Sequence, residues 1–411
     1  MTILSEIIRL ALAITIAFIA GRLISRLKLP AILGWLITGI IIGPHALGLL
    51  NDGLLGSDWF NSAESLLECL FGIMIGTEMI WKQMKRSGPQ IIVTTITESL
   101  GTFFVVSAIF GIIFYLTDVP IYLAFIFGGI ALATAPAPSL SVVDSLKTDG
   151  PVTRTLIPMA ELDDLVGALV FFLVIAFVSA RVSTVDIPIF LIISLVFLPV
   201  VIGGIVGFIF SKIMQRTKKA STTLTVMIIG LLLSAVIGHL INSTLDTSII
   251  NFMLIGMSYS IVFANMLEKE KLDAIMKVMD PIIGFSMIVV ILNLAAPLDY
   301  HLIFSAGLYT AIYIIARAIG KYSGAYLGAS LTHAPKTVQK YLGLTLLPHS
   351  GVSLVFTGIA ISVLQGNAPE CVPIIQGTIA AAAVINEIIA VFLARQGFAW
   401  AGELHKAESR A

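Results

Sequence analysis

Two aspartates stand side by side inside an apolar segment, Asp163 and Asp164 within Met159-Ala160-Glu161-Leu162-Asp163-Asp164-Leu165-Val166-Gly167. Placing one ionised carboxylate at the centre of a lipid bilayer costs at least about 2.5 kcal/mol, so an acid retained there marks a functional site. A carboxylate withdrawn from water favours its neutral form, so a proton and a small cation compete for it. Adjacent helical residues point about 100° apart, so the two acids cannot face one point equally. One can meet an aqueous cavity while the other pairs with a base. Arg317, near the centre of another apolar stretch, is permanently charged and needs a counter-charge, with Asp163 and Glu98 as the candidates. The expected arrangement pairs Asp163 with Arg317. Glu161, three residues before Asp164, shares its face and reads either as a cation-attracting funnel or as a carboxylate at a wet rim.

A second group of residues interrupts two apolar stretches. The first is Ala133-Thr134-Ala135-Pro136-Ala137-Pro138-Ser139, and the second is Leu347-Pro348-His349-Ser350-Gly351. Pro136 and Pro138 remove two backbone donors, and Pro348 with Gly351 acts likewise, so both helices should break. The breaks expose carbonyls and half-helix ends, whose C-termini attract cations. Thr134, Ser139 and Ser350 add hydroxyls. His349 reads as a hydrogen-bonding core residue. The two prolines Pro136 and Pro348 are 212 residues apart, and Glu98 and Arg317 are 219 apart. Paired breaks at matching offsets point to inverted repeats with an ion site between them. The repeats expected are 88–180 and 302–395.

These residues must be carried by a membrane-spanning bundle. The chain of 411 residues is 58% hydrophobic and only 12% charged, with mean hydropathy +1.02. A soluble protein would carry about twice that charged share. Thirteen apolar spans are read at 3–25, 29–50, 60–81, 88–116, 120–146, 151–180, 186–211, 221–242, 247–267, 280–299, 302–329, 338–363 and 373–395. Their lengths suit helices, and they lack the alternation of a membrane barrel. The basic residues fall in alternate connections: Arg22, Arg26 and Lys28; Lys82, Lys85 and Arg86; Lys147 and Arg154; Lys212, Arg216, Lys218 and Lys219; Lys269, Lys271 and Lys277; Lys321, Lys336 and Lys340; then Arg395, Lys406 and Arg410. Only Arg9 and Arg181 fall on the opposite face. By the positive-inside rule the amino terminus is outside and the carboxyl terminus cytoplasmic. Cys69 and Cys371 are far apart and lack metal-ligand spacing, and zero net charge implies no nucleic acid partner. The tail after Arg395 is too short to form a domain.

Several segments together resemble the bacterial monovalent cation:proton antiporter superfamily. They are Leu29-Pro30-Ala31-Ile32-Leu33-Gly34 through Ile42-Gly43-Pro44-His45-Ala46-Leu47-Gly48, then Phe71-Gly72-Ile73-Met74-Ile75-Gly76-Thr77-Glu78, the Pro-rich break after Ala133, the tandem Asp163-Asp164, and Arg317-Ala318-Ile319-Gly320-Lys321. The resemblance implies two crossed discontinuous helices in a mobile core, carried by a dimerisation scaffold and hence a homodimer. It implies that the acid matching Asp164 carries cation and proton. The first acid is Asp in the electrogenic branch and commonly Asn in the electroneutral one. The position matching Arg317 is often Lys in electrogenic members, and an Arg cannot share in proton release.

The expectation is therefore an all-α polytopic membrane protein, no enzyme and without cofactor, resident in a bacterial-type plasma membrane. It exchanges sodium or lithium for protons at Asp164 with Asp163. A potassium:proton antiporter of the same fold and a sodium-coupled organic-anion symporter are the alternatives. An intramembrane aspartyl protease is disfavoured, because its two acids must meet from different helices.

Overall fold

The computed structural model describes residues 3–26, 31–78, 80–81, 88–134, 139, 142–143, 146–182, 189–245, 250–297, 307–349, 351–365 and 368–404. Pro136, Pro138 and Ser350 lie outside them, as do the side chains of Glu78, Glu161 and Glu387. The long helices are α1 (Ile3–Arg26), α2 (Ala31–Ile42), α3 (Asp58–Glu78), α4 (Gly88–Leu116), α5 (Tyr122–Ala131), α6 (Pro151–Val182), α7 (Ile189–Arg216), α8 (Ala220–Leu245), α9 (Phe252–Met266), α10 (Lys269–Ala295), α11 (Gly307–Leu331), α12 (Lys336–Thr345), α13 (Gly351–Gln365) and α14 (Val372–Trp400). They occupy the thirteen expected spans in order, with the twelfth divided into α12 and α13. Among the described residues, six helices are each long and apolar enough to cross a membrane, and a seventh is added if 369–400, bent by 41°, counts as one span. Aliphatic and aromatic side chains cover the outside of these helices, as at Phe104, Ile112, Leu308 and Phe392, which suits contact with lipid rather than water.

Three element ends differ from expectation. The second helix stops at Ile42, because Gly43-Pro44 follows it and the chain there runs against α10. A Cβ at Gly43 would lie 2.1 Å from the Ala296 carbonyl oxygen. The tenth helix begins at Lys269, earlier than its apolar stretch, because its polar first turns have a partner. Lys271 Nζ donates to the Met214 carbonyl at 2.6 Å and to that of Thr217 at 2.5 Å, capping the end of α7. The fourteenth helix runs on to Trp400, and Glu403 just beyond it is hydrogen-bonded to the start of α6.

Two sets of helices pack among themselves. One comprises α4, α5, α6 and α11–α14; the other comprises α1–α3 and α7–α10; they meet along α6 with α7, α10 with α13 and α2 with α14. Within the first set α4 and α11 approach closely because Gly320, Gly324 and Gly328 recur every fourth residue on one face of α11. Small residues at such an interface let backbones touch. A Cβ on Gly324 would lie 2.6 Å from the Thr97 carbonyl oxygen and 2.7 Å from Glu98 Cα, both backbone atoms. Gly324→Ala is therefore expected to cost about 1–3 kcal/mol by overpacking. Thermal unfolding in detergent reads this directly, and an unchanged midpoint would contradict it.

Candidate ion site at the crossing of two broken helices

The site is built where α5 and α12 stop short. Both end in mid-bundle, and the strands of chain that follow run against each other, with Thr134 bridged antiparallel to His349. Ser139 Oγ donates to the Thr345 carbonyl at 2.6 Å, tying the two breaks together a second time. Each half-helix end presents orphan carbonyls inside the bundle, and these need donors.

The donors come from α11. Arg317, 1% exposed, donates from Nε to the Ala131 carbonyl at 3.0 Å and from Nη2 to that of Ala133 at 2.9 Å. It also donates to Pro348 at 3.1 Å and, from Nη1, to Leu347. Four of the five guanidinium N–H groups thus serve carbonyls from both breaks. Asn386 Nδ2 on α14 adds a donor to Leu347 at 2.7 Å. The planar fork of Arg suits two chains at once. Arg317→Lys keeps the charge but offers three donors from one atom, and stranding buried carbonyls costs about 1–3 kcal/mol. The variant should melt lower than wild type by a comparable amount; equal melting would show that the fork is dispensable.

Asp163 is not the partner of that fork. Its cation is Lys321, one turn further along α11 and fully buried, with Nζ 2.8 Å from Asp163 Oδ2 and 2.7 Å from Glu98 Oε1. Lys321 also donates to the Leu132 carbonyl at 2.5 Å and to Thr134 Oγ1 at 2.7 Å. Ser99 Oγ donates to Asp163 Oδ1 at 2.5 Å, and Thr134 Oγ1 donates to Oδ2. The expected pairing of Asp163 with Arg317 is thereby corrected, and so is the grouping of Lys321 with the cytoplasmic loop cations. Glu98 is paired, as a mid-span acid must be, but with Lys321. The reason is steric as well as electrostatic: the glycine face of α11 brings the ammonium against α4 and leaves it no path to water. Loss of Lys321 from the loop tally leaves the charge asymmetry in place.

Asp163 and Glu98 are fully buried, and Asp164, next along α6, is 6% exposed. Two acids thus share one ammonium, so the cluster holds either a net negative charge or a proton. His349 Nε2 lies 3.2 Å from Tyr313 Oη, a hydrogen-bonding role in the core. Lys321, Ser99 and Asn386 were not singled out from the sequence. The one signal for Lys321 was its i+4 spacing from Arg317 on the same helix face.

The structure of the sodium proton antiporter MjNhaP1 from Methanocaldococcus jannaschii at pH 8 superposes with a TM-score of 0.73 at 19% identity, covering 98% of this chain and 99% of that one. The electron-microscopy map of the same antiporter gives a TM-score of 0.67 at 20% identity, covering 98% and 97%. Among curated proteins, an uncharacterized protein in the phaC 3′ region of Methylorubrum extorquens is 39% identical over 64 residues, 16% of this chain. The match spans 22% of that relative's length. The profile of the family described as sodium/hydrogen exchanger, transmembrane, matches residues 14–396, nearly the whole membrane domain, and the chain belongs to that family.

Proposed function

We propose that the protein is a secondary antiporter that exchanges sodium or lithium for protons, the two competing for Asp164 with Asp163 beside it. The observation that carries the reading is the tandem acid pair at the crossing of two broken helices, with Asp163 fixed on Lys321. Asp163 is held by an ammonium and two hydroxyls. Asp164, turned about 100° around the helix, is the carboxylate that this reading assigns to cargo. A cation or a proton neutralises it, so the site crosses the barrier loaded with either but not with a bare charge.

Residues 88–180 and 302–395 serve as the inverted repeats of a moving core, and the other helices as its scaffold. The grouping of the helices supports this division.

The exchange is electrogenic in this reading. The objection from Arg317, that a guanidinium cannot release a proton, does not apply to the group that faces Asp163. That group is Lys321, and the pair of acids at the site is what supports one net charge moving per cycle. The experiment is proton flux in proteoliposomes driven by sodium, lithium or potassium, with and without a valinomycin–potassium clamp. Sodium and lithium should drive the flux, and an imposed potential should change its rate. A rate indifferent to potential would make the exchange electroneutral. Potassium driving it as well as sodium would favour the potassium:proton alternative.

A further inference from the structure

The helix that carries the tandem acids begins without a cap of its own. At its N-cap position stands Gly150, followed by Pro151. A Ser, Thr, Asp or Asn there would accept from the N–H groups of the second and third helical residues. Glycine has no side chain to do so, and those donors would be stranded.

They are served from the other end of the chain. Val152 N–H donates to Glu403 Oε1 at 2.7 Å, and Thr153 N–H donates to Oε2 at 2.9 Å. Thr153 Oγ1 adds a bond to Oε2 at 2.8 Å, and Asp149 N–H donates to the Glu403 carbonyl at 3.1 Å. The carboxylate, 1% exposed, also complements the positive end of the helix dipole. Its approach is prepared on both sides. The helix α14 closes with Gly402 N–H donating to the Ala399 carbonyl at 3.0 Å and Glu403 N–H to that of Phe398 at 3.1 Å. Gly402 takes φ +68°, which glycine adopts without a Cβ clash, and the turn aims Glu403 at α6. At the receiving end, a Cβ on Gly150 would lie 2.3 Å from Glu403 Cδ. One glycine aims the carboxylate and the other makes room for it. Phe398, fully buried, packs in the same cluster as Val152, Leu156 and Leu342 and anchors the end of α14.

We propose that Glu403 is a positioning residue for ion binding: its carboxylate caps α6 from the carboxyl-terminal tail and so fixes the register of Asp163 and Asp164 against Lys321, Ser99 and Thr134. Asp163 meets its three partners at hydrogen-bond distance from three different segments, so a slide of the helix along its axis spoils all of them together. Because α6 and α14 belong to the same set of helices, the cap shapes the site within one body rather than the movement of that body. Loosening it weakens cation binding more than it slows turnover.

The transport readout rests on the antiport reading, so a second readout accompanies it. Apparent KM for sodium, maximal rate and pH profile are measured in proteoliposomes for wild type, Glu403→Ala, Glu403→Gln and the double variant Glu403→Ala with Gly150→Asp. Amide hydrogen exchange at Val152 and Thr153 is measured on the same preparations. Glu403→Ala should raise KM about fivefold or more, with the maximal rate within about twofold, because a site left without its supporting shell loses geometry before it loses chemistry. The two amides should exchange faster. The double variant, given a local cap, should recover both. If Glu403→Ala does not fold, Glu403→Gln, which keeps the shape and one acceptor, carries the comparison with a smaller rise. Unchanged protection at Val152 and Thr153 would overturn the cap. Lost protection with unchanged KM and pH profile would overturn the positioning role. Absence of cation-driven flux in wild type would instead overturn the antiport reading.

Discussion

Lys321→Met is expected to be the most destabilising single substitution in the bundle interior. The ammonium lies 2.7 Å from one buried carboxylate and 2.8 Å from another, and every atom of its head is enclosed. Removing one partner of a buried ion pair leaves an uncompensated charge and costs about 3–5 kcal/mol. Here two carboxylates lose the same partner, and Thr134 and the Leu132 carbonyl lose a donor with them. Asp163→Asn alone should cost less, because Glu98 still balances the ammonium. In the Lys321→Met background, Asp163→Asn should restore part of the loss, since it removes one of the two stranded charges. The coupling should reach about 0.5–3 kcal/mol, the range for residues in direct contact. Thermal or denaturant unfolding of the two single variants and the double variant measures it. Additive losses would mean that Lys321 and Asp163 do not hold each other. The same cycle run with Arg317→Ala in place of Lys321→Met should show weaker coupling, because the guanidinium is engaged with the carbonyls of Ala131, Ala133, Leu347 and Pro348.

The order of the apolar spans and the ends of α5 and α12 near the two interruptions are legible, because each is written in residue types with a strong environmental cost. An aspartate in an apolar run and a proline in a helix both demand an explanation. The partners of Arg317 were not legible, because they are backbone carbonyls, which every residue carries and no letter marks. From residue types alone Arg317 calls for a carboxylate. Lys321 groups with the loop cations, since a lysine near a helix end ordinarily snorkels to the interface. The Gly320, Gly324 and Gly328 face closes that route by drawing α4 against α11. Glycine spacing was visible in the sequence, but which helix it would meet was not. Nor does any residue type mark Glu403 as the cap of α6, a contact that links residues 250 apart in the chain.

The second large effect concerns Asp164. Asp164→Asn keeps the shape of the side chain but cannot bear a charge, so it can neither bind a cation by charge nor take up and release a proton. The carboxylates that hold Lys321 Nζ are Asp163 and Glu98, so the Lys321 cluster should survive the change and the protein should fold and insert. Asp163→Asn, by contrast, should alter stability through Lys321 as well as transport. The most direct measurement is sodium-driven proton flux in proteoliposomes carrying purified, monodisperse Asp164→Asn beside wild type. Loss of the flux by at least about 100-fold, the scale of more than 2.7 kcal/mol at the coupling step, with thermal stability close to wild type, is the result predicted. Exchange retained in the folded Asp164→Asn protein would contradict the assignment of cation and proton to that carboxylate.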